Sequence, residues 1–244
     1  MIDGWRRGTP AFLASVTNAG EAEIALAGGA DIIDCKDPAA GALGALSTTT
    51  VQEIVAAIGC RAPVSATVGD LPSDPDVMVK AASDMAATGV DIVKVGFFGG
   101  DDPRRAIAAL AAAHAASTEL VAVLMADQDP DFALVAELAA AGFAGVMLDT
   151  AEKSAGRLTT VLADERLMEF VRLARDNRLF VGLAGSLQLS DIAMLVGFGS
   201  DLLGFRGALC AEGRVSAIEF NRVVSVRRAL DKAKLSLARE TSVA

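Results

Sequence analysis

The segment Gly28-Gly-Ala-Asp-Ile-Ile-Asp-Cys-Lys36 decides the fold class. Its glycines end a helical stretch, and the aspartate after them opens an apolar strand with charged residues at its far end. The same order of glycine, aspartate and strand returns in Gly89-Val-Asp-Ile-Val-Lys94 and in Gly199-Ser-Asp-Leu-Leu-Gly-Phe-Arg206. A repeated helix-to-strand unit is typical of an α/β protein with parallel strands.

This pattern continues along the whole chain. Apolar runs predict strands at residues 11–16, 31–36, 63–68, 91–96, 120–125, 145–149, 179–184 and 201–206. Helices are predicted at residues 18–27, 48–58, 76–88, 103–116, 131–141, 164–176, 190–197 and 216–237. The alternation predicts a single (βα)8 TIM barrel over residues 1–244, with 1–10 and 239–244 as terminal extensions. An open doubly wound sheet is the alternative, but no Gly-x-Gly-x-x-Gly motif follows the first strand.

Composition excludes several classes of protein. The 244 residues are 52% hydrophobic, which is too apolar for a disordered chain, and the net charge of −9 argues against a nucleic-acid partner. Three scattered cysteines fit neither a disulfide framework nor a CxxC zinc site, and they favour the cytoplasm. No apolar run predicts a membrane span, and residues 1–10 lack the apolar core of a signal peptide. A homo-oligomer is expected only as the general tendency of such barrels.

Histidine and tyrosine are scarce, so other side chains must carry any chemistry. There is one histidine, His114, and there is no tyrosine. These counts argue against a Ser-His-Asp triad and a His-rich metal site. There are six lysines, and Lys36, Lys94 and Lys153 fall at or just beyond predicted strand ends. The carboxyl ends of barrel strands meet at one rim, where barrel enzymes have their active sites.

Two carboxylates accompany these three lysines. Asp34 shares a strand face with Lys36, and Asp149 ends the sixth strand shortly before Lys153. Burial and a neighbouring ammonium favour a neutral lysine, and a neutral amine can attack a carbonyl to form an imine. The predicted catalytic set, for carbonyl chemistry of the aldolase or dehydratase type, is Lys36, Lys153, Asp34, Lys94 and Asp149. The alternatives are structural ion pairs within the barrel and, for Lys153, a solvated loop lysine.

A phosphate site is predicted beside the last two strands. Gly185 and Ser186 follow the seventh strand, and Arg206 and Gly207 follow the eighth. Loops at these positions bind phosphate in many barrels through backbone N–H groups, and an arginine can form a fork on phosphate. The alternative is a pair of tight turns with the arginine paired to a carboxylate. Three residues on and after the third strand are predicted to line the pocket: Ser65, Thr67 and Asp70.

Six blocks of the sequence resemble one known family. They are GGADIIDCKDPAAGALGA from Gly28, SATVGDLP from Ser65, DIVKVGFFG from Asp91, VMLDTAEKSAG from Val146, LAGSL from Leu183 and DLLGFRGALC from Asp201. The blocks cover nearly the whole chain in order, and DIIDCKDP together with LDTAEK is the most specific combination. The sequence resembles the (5-formylfuran-3-yl)methyl phosphate synthases, also called 4-(hydroxymethyl)-2-furancarboxaldehyde-phosphate synthases. Two segments, 126–130 and 211–217, are shorter than the pattern of that family.

The resemblance implies a TIM-barrel lyase that condenses two molecules of glyceraldehyde 3-phosphate into (5-formylfuran-3-yl)methyl phosphate, with loss of phosphate and water. That furan belongs to the biosynthesis of methanofuran and of methylofuran, a cofactor of one-carbon metabolism. The resemblance makes Lys36 the imine-forming Schiff-base lysine and Lys153 its acid–base partner. The remaining polar positions of the family pocket fall on Asp34, Lys94 and Asp149. No metal or organic cofactor is implied, and the implied partner is the small triose phosphate.

Two other functions fit the same residues. A cofactor-free aldolase or decarboxylase of another phosphorylated substrate can use the same Asp/Lys network, and in the decarboxylase lysine donates a proton without forming an imine. A barrel that binds sugar phosphate without catalysis is the other alternative. Trapping of an imine separates the decarboxylase from the synthase, and loss of turnover in a lysine variant separates an enzyme from a binding protein.

Overall fold

Eight parallel strands close into a barrel in the computed structural model, which describes residues 10–99, 102–114, 118–152 and 154–241. The strands are β1 (Ala11–Val16), β2 (Ile32–Cys35), β3 (Val64–Thr67), β4 (Ile92–Phe97), β5 (Glu119–Met125), β6 (Gly145–Asp149), β7 (Phe180–Leu183) and β8 (Leu202–Phe205). Each strand pairs with its neighbours in chain order, and β8 pairs back onto β1. The predicted (βα)8 barrel is therefore confirmed.

Helices follow the strands and cover the outside of the barrel. They are α1 (Ala19–Ala27), α2 (Thr48–Ile58), α3 (Pro75–Ala86), α4 (Arg104–Ala113), α5 (Leu134–Ala140), α6 (Leu158–Val161), α7 (Asp164–Asp176), α8 (Ile192–Gly197) and α9 (Phe220–Thr241). Side-chain caps fix several helix starts, because Asn18, Ser47 and Asp74 accept backbone N–H bonds in the first turns of α1, α2 and α3. Within the described ranges, no helix has the length and apolar character needed to cross a bilayer.

The strands bury both of their faces, which gives the barrel two apolar layers. Along β1, Phe12 and Val16 belong to the layer between sheet and helices, whereas Leu13 belongs to the layer inside the barrel. The inner layer is made of large side chains from most of the strands, including Ile32, Ile92, Val121, Val123, Met147, Phe180 and Leu202. Polar inward-facing residues lie nearer the carboxyl ends of the strands, so the apolar layer forms the floor of a polar cavity.

Three details of the predicted secondary structure were wrong. The last helix begins at Phe220 and not at residue 216, because Ile218 instead forms an antiparallel bridge with Cys210. Ser190 does not cap α8, since it lies within a 3-10 turn that precedes the helix. The short helix α6 was not predicted, because four residues cannot show a helical period.

Candidate active site

A cavity of about 290 Å³ opens at the carboxyl ends of the strands. The small residues Ala184 and Gly204 line one side of the cavity. The side chains of Lys36, just after β2, and of Lys94, in β4, line the other side. The floor is apolar, with Leu13 and Val123 among its residues. The loop residues that line the cavity are Pro38, Leu43, Gly185, Ser186, Gln188, Gly207, Gly213 and Arg214.

Asp34 and Lys94 form an ion pair inside the barrel, which we call the inner pair. Lys94 Nζ lies 2.6 Å from Asp34 Oδ1, and the two side chains are only 5% and 1% exposed. The Ser15 hydroxyl donates to Asp34 Oδ2 at 2.8 Å, and the Ser65 hydroxyl donates to Oδ1 at 2.7 Å. Strand register explains this arrangement, because Asp34 of β2 is paired with Ser15 of β1 and with Ser65 of β3. The buried carboxylate is therefore held by three neighbours.

Burial dominates the protonation behaviour of the inner lysine. It lowers the pKa of Lys94 below the usual 10.5, because a charged ammonium loses its hydration inside the barrel. The Asp34 carboxylate opposes this shift, and the neighbouring Lys36 ammonium reinforces it. The cavity thus contains an amine that releases its proton more easily than a lysine in water.

Lys36 and Asp149 form a second ion pair, the outer pair. Lys36 follows the end of β2, Asp149 is the last residue of β6, and Lys36 Nζ lies 2.9 Å from Asp149 Oδ2. The backbone N–H of Thr150 donates to Asp149 Oδ1 at 2.7 Å. Both charged side chains line the cavity and are less than a tenth exposed. A carboxylate at this distance can accept the proton that the lysine must lose before its amine attacks a carbonyl.

Lys153, the remaining predicted catalytic lysine, lies outside the described residues. The chain immediately before it is well anchored, because the Asp127 carboxylate accepts the N–H groups of Ala151 and Glu152, both at 2.7 Å. Asp127 belongs to a short 3-10 turn after β5. In the part of the chain that the structure describes, no cluster of three or more His, Cys, Asp and Glu side chains is arranged to hold a metal ion.

Gly185, Ser186 and Gly207 line the cavity at the ends of β7 and β8. Gly185 and Ser186 have positive φ angles of +111° and +53°, which turn the chain sharply after β7. A Cβ atom on Gly185 would lie 2.9 Å from the Thr150 side chain, so glycine is needed there. Among the described contacts, the N–H groups of Gly185, Ser186 and Gly207 have no protein acceptor. They are available to an anion in the cavity.

Residues 12–227 match the family model of 4-HFC-P synthase. The (5-formylfuran-3-yl)methyl phosphate synthase of Methanopyrus kandleri is 39% identical over 215 residues, which cover 84% of this chain and 91% of that protein. A protein of Methylorubrum extorquens that carries the same name provisionally is 45% identical over 223 residues, covering 91% of this chain and 92% of its own. The chain belongs to the 4-HFC-P synthase family. The resemblance seen in the sequence blocks is confirmed, and membership of a synthase family implies an enzyme.

Solved structures share the barrel of this 4-HFC-P synthase family member. Phosphoribosyl anthranilate isomerase from Thermotoga maritima has a TM-score of 0.67 and 12% identity, covering 92% of this chain and 99% of that one. The isomerase from Thermus thermophilus has a TM-score of 0.65 and 13% identity, covering 91% and 98%. At such low identity the likeness shows the fold alone.

Arg206 lines the cavity of this family member, but other groups of the protein accept hydrogen bonds from its guanidinium group. Nε donates to the Arg214 carbonyl at 2.8 Å, and Nη1 and Nη2 donate to the Glu21 carboxylate. The two remaining N–H groups donate to the carbonyls of Ser15 and Ser216. All five donors of the group therefore have protein acceptors. These contacts match the alternative, an arginine paired to a carboxylate, and the predicted phosphate contact of Arg206 stays a prediction.

The three residues predicted on the β3 side do not line the cavity. Ser65 is buried against Asp34, as described above. The Thr67 hydroxyl donates to the Gly44 carbonyl at 2.9 Å, and Asp70 accepts the N–H groups of Ala42 and Leu43 at 2.8 and 2.6 Å. Thr67 and Asp70 are thus already bonded to the segment 37–44, which follows Lys36. These bonds brace that segment, and the predicted contact of the three residues with a ligand stays a prediction.

Sequence reasoning missed Arg214, whose side chain lines the cavity. Its Nη2 donates to the carbonyl of Gly41 at 2.8 Å, across the cavity mouth from the loop after β8 to the loop after β2. Burial lowers the pKa of Arg214, and the Asp149 carboxylate opposes that shift. The signal that could have revealed this residue is its place in the loop after β8, the position at which a phosphate site was predicted.

Proposed function

We propose that the protein condenses two molecules of glyceraldehyde 3-phosphate into (5-formylfuran-3-yl)methyl phosphate through an imine on Lys36. The observation that carries this proposal is the outer pair beside the inner pair at the cavity, in a chain of the 4-HFC-P synthase family. The atoms balance, because two three-carbon phosphates supply the six carbons of the product and the remainder leaves as one phosphate and two molecules of water. The reaction is that of a carbon–oxygen lyase.

Imine formation begins at the outer pair. Asp149 Oδ2, which lies 2.9 Å from Lys36 Nζ, accepts a proton from the ammonium and leaves a neutral amine. The amine attacks the carbonyl carbon of the first triose phosphate, and the carbinolamine then loses water with the help of a proton donor. The carbon–nitrogen double bond is protonated, so it withdraws electrons from the carbon next to it.

The protonated imine supports the later steps. It makes the adjacent C–H bond acidic, so a base can remove that proton and form an enamine, which can expel phosphate or attack the second triose. Asp149 and Lys94 lie at the cavity and can transfer these protons. Lys94 suits this work because burial lowers its pKa. Lys153, which follows Asp149 in the chain, is proposed as a further acid–base partner.

The phosphate of a bound triose is proposed to lie at the ends of β7 and β8. The unused N–H groups of Gly185, Ser186 and Gly207 support this position, since backbone N–H groups in tight turns bind phosphate oxygens. The site lies across the cavity from the strands that carry the lysines. A triose bound with its phosphate there would point its carbonyl end toward Lys36. The product would enter the biosynthesis of methanofuran or methylofuran in the cytoplasm.

Two measurements test this proposal. The purified protein incubated with glyceraldehyde 3-phosphate is expected to generate the ultraviolet absorption of a furan aldehyde and to release inorganic phosphate. Borohydride added during turnover is expected to leave a covalent adduct on the peptide that contains Lys36. Lys80→Ala is the matched control, because Lys80 is exposed on α3 and paired with Asp84. Furan formation without any trapped adduct would overturn the imine, and absence of furan would overturn the synthase.

A further inference from the structure

Two arginines stand beside β8, and they differ in how many of their donors the protein uses. Arg206 gives all five N–H groups to protein acceptors. Arg214 gives one of its five N–H groups to an acceptor in the described part of the chain, the carbonyl of Gly41. Because both residues line the cavity, the one with unused donors is the better candidate for a ligand contact.

Arg206 holds the backbone of Arg214 in place through a hydrogen bond to its carbonyl. The Arg206 guanidinium bonds to the Arg214 carbonyl and to the Ser216 carbonyl, and its own position is fixed by the buried Glu21. The Glu21 carboxylate also accepts the backbone N–H groups of Thr17 and Ile218. These bonds hold Glu21 in place between α1 and β8. The backbone of Arg214 is therefore ordered before any ligand arrives, which reduces the entropy lost on binding.

Arg214 is held from the other side by the loop after β2. Its acceptor, Gly41, has a φ of +111°, and a Cβ atom there would clash with the Asp70 carboxylate. Asp70 binds the two N–H groups that follow Gly41, so the carbonyl that receives the arginine is part of a fixed turn. One N–H group of Arg214 is thus anchored, and its other donors remain for an anion.

We propose that Arg214 is the side-chain cation that binds the substrate phosphate at the mouth of the cavity, together with the backbone N–H groups of Gly185, Ser186 and Gly207. A guanidinium group can offer two parallel N–H bonds to two phosphate oxygens, and its charge matches that of a phosphate dianion. Arg206 supports this contact only indirectly. The proposal rests on the proposed function for the identity of the ligand, a triose phosphate.

The test compares Arg214→Gln and Arg214→Lys with the unmodified protein. Binding of inorganic phosphate is measured by calorimetry and by its competitive inhibition of turnover, and steady-state kinetics are measured with glyceraldehyde 3-phosphate. Arg214→Gln is expected to weaken phosphate binding and raise KM by about tenfold to a hundredfold, because it removes charge-assisted hydrogen bonds. Its kcat is expected to change by less than about threefold, since the reacting groups stay in place. Arg214→Lys is expected to recover part of the binding, because it keeps the charge and loses the fork.

Arg172→Gln is the matched control, because Arg172 is exposed on α7 and pairs only at the surface with Asp176. Phosphate binding of Arg214→Gln equal to that of the control would overturn the role of Arg214. Phosphate binding needs no turnover, so the two proposals fail separately. A protein that binds phosphate through Arg214 and makes no furan would overturn only the proposed function. Normal furan synthesis with an unchanged KM in Arg214→Gln would overturn only the present inference.

Discussion

The two lysine–aspartate pairs in the cavity differ in how their carboxylates are held. In the inner pair, Asp34 is bound by Lys94 and by two serine hydroxyls from the neighbouring strands. In the outer pair, Asp149 is bound by Lys36 and by the backbone N–H of the residue that follows it. Both pairs are buried and both lie at the same cavity, so the difference is one of position and partners and not of chemistry.

Position in the strand separates the tasks that each lysine can perform. Lys94 is the third residue of β4, where neighbouring strands fix the backbone on both sides. Lys36 is the first residue after β2, where the chain passes into the loop at the cavity mouth. An amine that must leave its carboxylate to attack a carbonyl needs room to move, and the end of a strand provides it. This difference in position supports the proposal that Lys36 of the outer pair is the reacting lysine.

The largest expected effect separates the two lysines by their chemistry. Lys36→Ala is expected to lower kcat by at least about 10⁴-fold and to abolish the borohydride adduct, because it removes the nucleophile itself. Lys94→Ala, the matched variant, is expected to lower turnover while an adduct still forms on Lys36. Intact-protein mass spectrometry after trapping gives the result. An adduct that survives in Lys36→Ala and disappears in Lys94→Ala would reverse the assignment.

The next largest expected effect is a difference in the free energy of unfolding between variants of the inner pair and variants of the outer pair. Lys94→Met leaves the buried Asp34 without its counter-charge and is expected to reduce the free energy of unfolding by about 3–5 kcal/mol. Lys36→Met is expected to reduce it by less, because the Asp149 side chain is 7% exposed to water and the Asp34 side chain is only 1% exposed. Urea denaturation measures both values. The double variant Asp34→Asn with Lys94→Met is expected to recover part of the loss, since no charge is then left unpaired. Equal losses in the two single variants would contradict the distinction.

The pH dependence of stability gives a smaller signal from the inner pair. In the folded protein the pKa of Lys94 lies below 10.5, so between these two values the unfolded chain binds more protons than the folded one. Lys94 therefore makes the free energy of unfolding rise as pH increases through that window toward 10.5. We expect the unmodified protein to gain stability relative to Lys94→Gln over this range, because groups common to both proteins cancel. A difference that is flat or falls with pH would show that burial does not govern this lysine.

The sequence predicted the cavity better than it predicted the partners within it. Parallel strands bring their carboxyl ends to one rim, so Lys36, Lys94 and Asp149 could be placed together from chain position alone. Strand alternation grouped Asp34 with Lys36 and left Asp34 or Asp149 open as a structural partner of Lys94; the structure pairs Lys94 with Asp34, two strands away. Ser65, on the strand between them, donates to the same carboxylate oxygen that Lys94 contacts.

Arg206 shows a second limit of sequence reasoning. Its place after β8 predicted a phosphate contact, and nothing nearby in the chain indicated that its donors were occupied. Its carboxylate partner, Glu21, and the carbonyl of Ser15 lie at the opposite end of the sequence, and they become neighbours only when β8 closes onto β1. Whether a donor is free depends on such distant contacts, which spacing along the chain cannot show. The same limit hid Arg214, whose anchor lies in the loop after β2.

The smallest expected effect concerns the support of the outer pair. Thr67 donates to the Gly44 carbonyl, which also accepts the N–H of Asp37, so it helps to fix the loop that follows Lys36. Thr67→Val keeps the side-chain shape and removes one of two hydrogen bonds to that carbonyl. We expect a loss of about 1 kcal/mol in the free energy of unfolding and a change in KM of less than about twofold. A residue that bound substrate would instead raise KM by about tenfold or more without altering the denaturation midpoint. Because the two outcomes move different measurements, this variant distinguishes bracing of the outer pair from contact with the ligand.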